Sequence, residues 1–244
     1  MILLVDAGNS LTKWTTAMPG VAPVSGSFPT ADRPSWRTAG STAPDAAVVS
    51  CVAGVEVLEG IRLESGLEAE RFHVLVPKRN AHAIVNGYAD PAQLGPDRYA
   101  ALIAAHRRGL GDCVVVGAGT ALTADMLTRD GRFLGGCIVP GPALMRASLA
   151  ASTDRIRAMT GGAMADLPRD TASAVATGIA LALCGVVEGM GRRLQSATGR
   201  EVTVIAGGGA RSLLMPCLDR PVVEVENLVL EGLAWVARDL GYAV

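Results

Sequence analysis

Val5-Asp6-Ala7-Gly8-Asn9-Ser10-Leu11-Thr12 and Val116-Gly117-Ala118-Gly119-Thr120-Ala121-Leu122-Thr123 are two versions of one pattern. Beyond the shared valine, Ala, Gly, Leu and Thr recur in the same order. Each stretch follows an apolar run, Ile2 to Asp6 in the first case and Cys113 to Val116 in the second. Each therefore reads as a buried strand, a glycine turn and a returning strand. The echo implies an α/β protein of two lobes related by duplication, residues 1–110 and 111–244, with an approximate boundary.

Turns of this kind suit anions. Glycine lets the backbone approach a phosphate closely, and successive N–H groups form a concavity that binds negative charge. Two such turns facing each other across a cleft would grip the phosphates of a nucleotide. Lys13 on the returning strand would add a point charge, and Asp6 at the strand end would hold Mg²⁺ through water. Taken alone, Asp6 to Asn9 is equally an ordinary hairpin turn with an Asx residue, and Lys13 a solvated strand residue.

Working outward, Ala46 to Cys51 and Phe72 to Val76 read as strands, and residues 19–45 as further strand and loop. Asp97 to Arg107 has helical spacing, with Ala101, Leu102 and Ala105 on one face. Asp130-Gly131 marks a hairpin between Leu127 and Phe133. Thr171 to Leu194 and Asn227 to Leu240 are the remaining helices, the second amphipathic. No stretch has the composition of a flexible linker.

Composition narrows the function. Half of the 244 residues are apolar and 18% are charged, which is ample for a core. A net charge of −1 argues against a nucleic-acid partner. Met1 to Asp6 is too short for a signal peptide, and the sequence predicts no run approaching the roughly 18 apolar residues of a membrane span. The cysteines (Cys51, Cys113, Cys137, Cys184, Cys217) are scattered and set apart from His73, His82 and His106. This predicts neither a zinc site nor a disulfide framework, and fits a reducing cytoplasm. The P-loop pattern G-x-x-x-x-G-K-[ST] is absent. Val114 to Gly119 opens like a dinucleotide fingerprint, but Leu122 stands at the third glycine and the continuation reads as strand.

The segment Tyr88-Ala89-Asp90-Pro91-Ala92-Gln93-Leu94-Gly95-Pro96-Asp97-Arg98 resembles the Tyr…Gly-x-Asp-Arg element of type III pantothenate kinases. Asp6 to Ser10 with Lys13 is similar to that family's N-terminal Asp-x-Gly-Asn-[Thr/Ser] element. Gly119-Thr120-Ala121 with Thr123 resembles its second phosphate element, and Gly135 to Gly141 its Gly-Gly-x-Ile-x-Pro-Gly run. Thr171 with Gly178, Gly207 to Ala210, and Asn227 to Leu233 resemble later elements, in order over nearly the whole chain.

The resemblance implies a duplicated actin-like (ribonuclease H-like) fold with mixed sheets flanked by helices. It implies transfer of the γ-phosphoryl group of ATP, with Mg²⁺, to the primary alcohol of pantothenate, the first step toward coenzyme A. On that basis Asp97 is the base and Arg98 pairs with the substrate carboxylate. Tyr88, Gly95 and Pro96 line the same pocket, and Thr171 reaches it from the second subunit of a homodimer. Asp6, Ala7, Gly8, Asn9, Ser10, Leu11, Thr12, Lys13 and Thr120 hold ATP. Two departures stand out. Gly117 replaces an aspartate that the family associates with a monovalent cation (K⁺ or NH₄⁺), with Asp125 farther along the next strand. Asp170 stands where asparagine is common. Two other readings remain open: a catalytically weak member acting as a regulatory binding protein, and an actin-like phosphotransferase or phosphatase for another small anion. Asp97 and Thr171 would also each suit the cap of the helix that follows.

Overall fold

The apolar N-terminal run becomes β1 (Ile2–Ala7), followed by β2 (Leu11–Ala17), β3 (Ser25–Pro29), β4 (Ala46–Cys51), α1 (Val55–Ser65), β5 (Phe72–Val74), β6 (Asn80–Ala81), β7 (Ile84–Asn86) and α2 (Pro96–Arg107). Then come β8 (Asp112–Ala118), β9 (Ala121–Leu127), β10 (Arg132–Pro140), α3 (Pro142–Ser152), α4 (Thr171–Thr198), β11 (Val202–Gly207), β12 (Val222–Glu224) and α5 (Leu228–Asp239). This is a computed structural model and it describes residues 1–32, 43–152 and 161–244. The part of the 19–45 reading that falls on 33–42 lies outside the described residues. The chain divides into one unit of Met1–Arg108 with Asn227–Val244, and a second of Gly109–Glu226.

In the first unit the strands run in the order β3-β2-β1-β4-β5. β1 is antiparallel to β2 and parallel to β4. Strand alternation sends Leu3, Val5, Ala7, Ala47 and Val49 to one face, where Trp14, Phe28, Ile61 of α1 and Phe72 complete a core. The opposite face carries Leu4, Asp6 and Ser50, and α2 and α5 pack against β4 on this unit's sheet. Helix α2 is buried on more sides than its one-face pattern predicts: Tyr99, Ala100, Leu102, Ile103, Ala104 and Ala105 are all within the core, whereas Ala101 is only partly covered. The reason is α5, whose Gly232 lies directly on the Ala100 carbonyl, where a Cβ would collide. Helix α1 is an element that the sequence pattern does not predict. It leaves Val55 and Leu63 about 70% exposed, so its apolar residues give no clean helical stripe.

In the second unit the strands run β12-β11-β8-β9-β10, with β8–β9 and β9–β10 antiparallel and β11 parallel to β8. Val114, Val116, Ala118, Leu122 and Ala124 pack on Ile179, Leu183, Val187 and Leu194 of α4. The Asp130-Gly131 turn joins β9 to β10 as its sequence predicts, with Gly131 at φ 81°. Two expectations need correction. Cys184 and Cys217 are bonded, with Cα atoms 6.1 Å apart, because the turn Met215–Cys217 packs on α4 across a separation of 33 residues. Cys113 is the buried thiol, pushed up to about 12 by desolvation and then by Asp112. The 28-residue helix α4 is also long and apolar enough for a membrane span, with a window of mean hydropathy 1.7. Its apolar stripe is spent instead on this unit's core.

The β6–β7 hairpin turns through His82 and Ala83, both left-handed (φ 54° and 62°). This is the two-residue geometry that favours Asn-Gly. His82 Nδ1 is tied to Asp239 at 2.7 Å, but Ala83 gains nothing from the strain. Ala83→Gly should therefore raise the unfolding free energy by about 1 kcal/mol, measured by chemical denaturation.

Candidate functional site

The internal echo folds as two hairpins that differ by one residue. Asp6 pairs with Lys13 and Ala7 with Thr12, leaving Gly8 to Leu11 as the turn. Gly117 pairs with Thr123 and Ala118 with Leu122, leaving Gly119 to Ala121. The returning strands are thus offset by one position relative to the sequence match. Thr12 corresponds to Leu122, both fully buried, and Lys13 to Thr123. The first turn is tied to the residue after β3. Thr30 Oγ1 donates to the Gly8 carbonyl at 2.7 Å, its hydroxyl meets that of Thr12 at 3.0 Å, and its N–H donates to Ser10 O. Gly8 approaches Leu11 O so closely that a Cβ would lie 3.1 Å from it. Asn9, Ser10 and Leu11 are exposed at the tip.

Asp6, at the end of β1, is half-buried. Desolvation, then the charge of Asp97, push its carboxyl up to about 7, with Lys13 across the ladder pulling the other way. Two acids separated by 91 positions in sequence are therefore electrostatic neighbours. Asp97 is not the cap of α2. Gly95 occupies the cap position without a side-chain bond, and Pro96 and Asp97 form the first turn. Asp97 Oδ1 accepts the Arg98 N–H at 2.8 Å and lies over Gly95, where a Cβ would come within 2.5 Å of it. Gly95 thus leaves room for the carboxylate in this position.

Arg98 is 6% exposed, its Nη1 donates to Tyr88 Oη at 3.1 Å, and its guanidinium sits 5.7 Å from the Tyr88 ring centre. The loop bearing Tyr88 is held by a residue that motif reading passed over. Arg79 donates to the carbonyls of Asn86, Tyr88 and Ala89 at 2.8, 2.6 and 2.7 Å. Asn86, fully buried, accepts the Tyr88 N–H and donates to Pro91 O. No local pattern marks Arg79, since its partners are backbone atoms. Ser50, also passed over, is in register with Asp6 on the parallel strand.

In the second unit three glycine elements converge at one end of the sheet. Gly141 N–H donates to Thr120 O at 2.9 Å, and a Cβ at Gly141 would collide with the Gly119 and Thr120 carbonyls. Gly208, at φ 95°, lies against Ala118, whose carbonyl accepts the Ala210 N–H at 3.0 Å. Thr120 is exposed at the tip. Above Gly117 the space is taken: a Cβ there would come within 2.8 Å of Thr123 Oγ1. Asp125 is 1% exposed and pairs with Val115, one alternation further from the turn. Thr171 is exposed at the start of α4, and Asp170, rather than Thr171, is its cap, accepting Ser173 N–H at 2.9 Å.

The acids suit a hydrated magnesium ion. Mg²⁺ is commonly held by one or two carboxylates, water and substrate phosphates rather than by an all-protein cage. Asp6, at the end of β1, offers one such carboxylate, and no three metal-binding side chains cluster among the described residues. A monovalent cation finds no carboxylate at Gly117.

A family model for type III pantothenate kinase matches residues 2–193. Curated relatives named type III pantothenate kinase include one from Thiobacillus denitrificans, 42% identical over 97% of this chain and 96% of its own. Another, from Azoarcus sp., is 39% identical over 97% and 90%. Among solved structures, a Campylobacter jejuni protein described as a Baf family transcriptional activator aligns over 98% of both chains (TM-score 0.63, 19% identity). A Sinorhizobium meliloti protein described as a 2-dehydro-3-deoxygalactonokinase aligns over 98% and 99% (TM-score 0.57, 15% identity). These two share the fold, that of actin-like sugar kinases.

The Asp6 carboxyl gives a pH signature. Its folded pKa of about 7 lies above the ordinary 3.8, so the folded state binds the extra proton and stability falls as pH rises between those values. Asp6→Asn removes that loss. The variant should match the wild type near pH 4 and exceed it by on the order of 2 kcal/mol at pH 8 in ligand-free denaturation.

Proposed function

The chain belongs to the type III pantothenate kinase family, and on that premise we propose that it transfers the γ-phosphoryl group of ATP to the primary hydroxyl of pantothenate, the first step of coenzyme A biosynthesis. Family membership carries the substrate. One observation supports the roles: Asp97, in the first turn of α2 with Arg98 next to it, is near enough for its charge to act on Asp6 at the end of β1.

Asp97 acts as the base. A carboxylate cannot fully remove an alcohol proton in the ground state. In a loose phosphoryl-transfer transition state it need only orient the hydroxyl and accept its proton late. Arg98, buried and steadied by Tyr88, offers a planar fork to the substrate carboxylate. Tyr88, Gly95 and Pro96 line that pocket. The backbone from Asp6 to Leu11, with Thr12 fixing it through Thr30, receives ATP phosphates along with Lys13, and Thr120 serves the second turn. Magnesium, when bound, neutralises phosphate charge, and Asp6 would hold it through water. The family's potassium or ammonium ion would have to be held by Thr123 and backbone oxygens, because position 117 offers no carboxylate.

The working form is a homodimer in the cytoplasm, with Thr171 completing the partner's pocket. The open face of α4 supports this: Gly178, Gly185 and Gly189 meet nothing within 4 Å of an added Cβ, and Leu181 among them is 55% exposed. Such a surface lets a second helix approach closely.

Replacing the base tests the assignment. Asp97→Asn should lower kcat about 10³-fold while nucleotide affinity stays within a few-fold of wild type. Arg98→Gln should raise the KM for pantothenate roughly tenfold or more without moving that for ATP. Near-normal turnover in Asp97→Asn would remove Asp97 from the role.

A further inference from the structure

Among the described residues, two buried side-chain polar atoms lack a hydrogen-bond partner, Ser50 Oγ and Arg211 Nε. Arg211 has a counter-charge, Glu224, at 3.3 Å, so its place is explained by an ion pair. Ser50 is different. It is 0% exposed, next to last in a strand whose other members are alanine, valine and cysteine. An alanine would fill that position without stranding a hydroxyl, and a polar group left unsatisfied in a native core calls for an explanation.

Its location supplies one. On the parallel ladder Ser50 pairs with Asp6. Register partners on neighbouring strands share a face, with the strands about 4.8 Å apart. Val49 and Cys51 point the other way, into and against the core beneath. The hydroxyl therefore lies beside the Asp6 carboxylate, on the side where Asp97 is close enough to act on Asp6. A serine hydroxyl can donate one hydrogen bond and accept two. The protein satisfies none of these, so the unused capacity is directed at something that arrives.

We propose that Ser50 is a positioning residue of this site, its hydroxyl holding a water of the magnesium that accompanies ATP, beside the water held by Asp6. The inference rests on the kinase reading above. Magnesium keeps much of its hydration, and its bound waters need acceptors on the protein. Asp6 provides one at the strand end, and Ser50 provides another directly across the ladder. Groups that act through metal-bound water in this way change metal affinity by about 10–100-fold when removed.

The test is calorimetric titration of the purified full chain with Mg·ATP, and with ATP in the presence of a chelator. The proteins compared are wild type, Ser50→Ala and Ser50→Cys, the last preserving volume while offering only a weak donor. The expected result is that both variants bind Mg·ATP about tenfold more weakly and metal-free ATP as the wild type does. Ser50→Ala should also melt no lower than wild type in the absence of ligand, because it loses no protein hydrogen bond. Unchanged Mg·ATP affinity in both variants would overturn the proposal. So would an equal loss with and without metal, or a loss in Ser50→Ala that Ser50→Cys restores, which would mark a packing effect. A wild type that binds no Mg·ATP would instead bring down the kinase reading, and the inference with it.

Discussion

Two carboxylates near enough for the charge of Asp97 to act on Asp6, with Lys13 opposing it there, set the terms for the N-terminal unit. Asp6 ends a strand whose other side chains are buried, and Asp97 opens a helix packed into the same unit. Like charges in a desolvated place repel, and the protein leaves the repulsion only partly answered. Burial first, and this repulsion second, raise the proton affinity of Asp6 in the free protein. A divalent cation with its phosphates would offset the repulsion. The surroundings keep the pair in place. Thr30 fastens the turn after Asp6, Gly95 leaves room for the Asp97 carboxylate, and α5 closes on α2 at Gly232.

The second unit answers a different constraint, the crowding of backbone at a sheet end. Gly141 and Gly208 are glycines because carbonyl oxygens of Gly119, Thr120 and Ala118 stand where a Cβ would be. The turn after β8 is thereby held from two sides while its tip stays exposed. Gly117 belongs to the same account. Thr123 leans over it, so this hairpin presents a hydroxyl where its counterpart in the first unit presents Asp6.

Much of this was legible in the chain because it is local. Apolar runs closed by glycine gave β1, β4 and β8, and Asp130-Gly131 gave the β9–β10 hairpin. The Tyr88 to Arg98 segment folds as a loop that leads into the start of α2. What escaped depends on distant partners. Arg79 braces carbonyls up to ten positions away, and nothing in its neighbours says so. Ser50 matters only once β4 is known to lie beside β1 in register. The bond between Cys184 and Cys217 follows from a turn packing on α4, and spacing alone cannot reveal it. The one-residue offset between the hairpins was hidden because Leu-Thr follows both turns, although the ladders start from different members of that pair.

The central claim is that this chain phosphorylates pantothenate, and its most direct test is release of ADP by the purified protein with ATP and Mg²⁺, in the presence and absence of pantothenate. The account predicts turnover that depends on pantothenate and yields a product phosphorylated on the primary hydroxyl. A folded protein that binds Mg·ATP and yet releases no more ADP with pantothenate than without it would contradict the account.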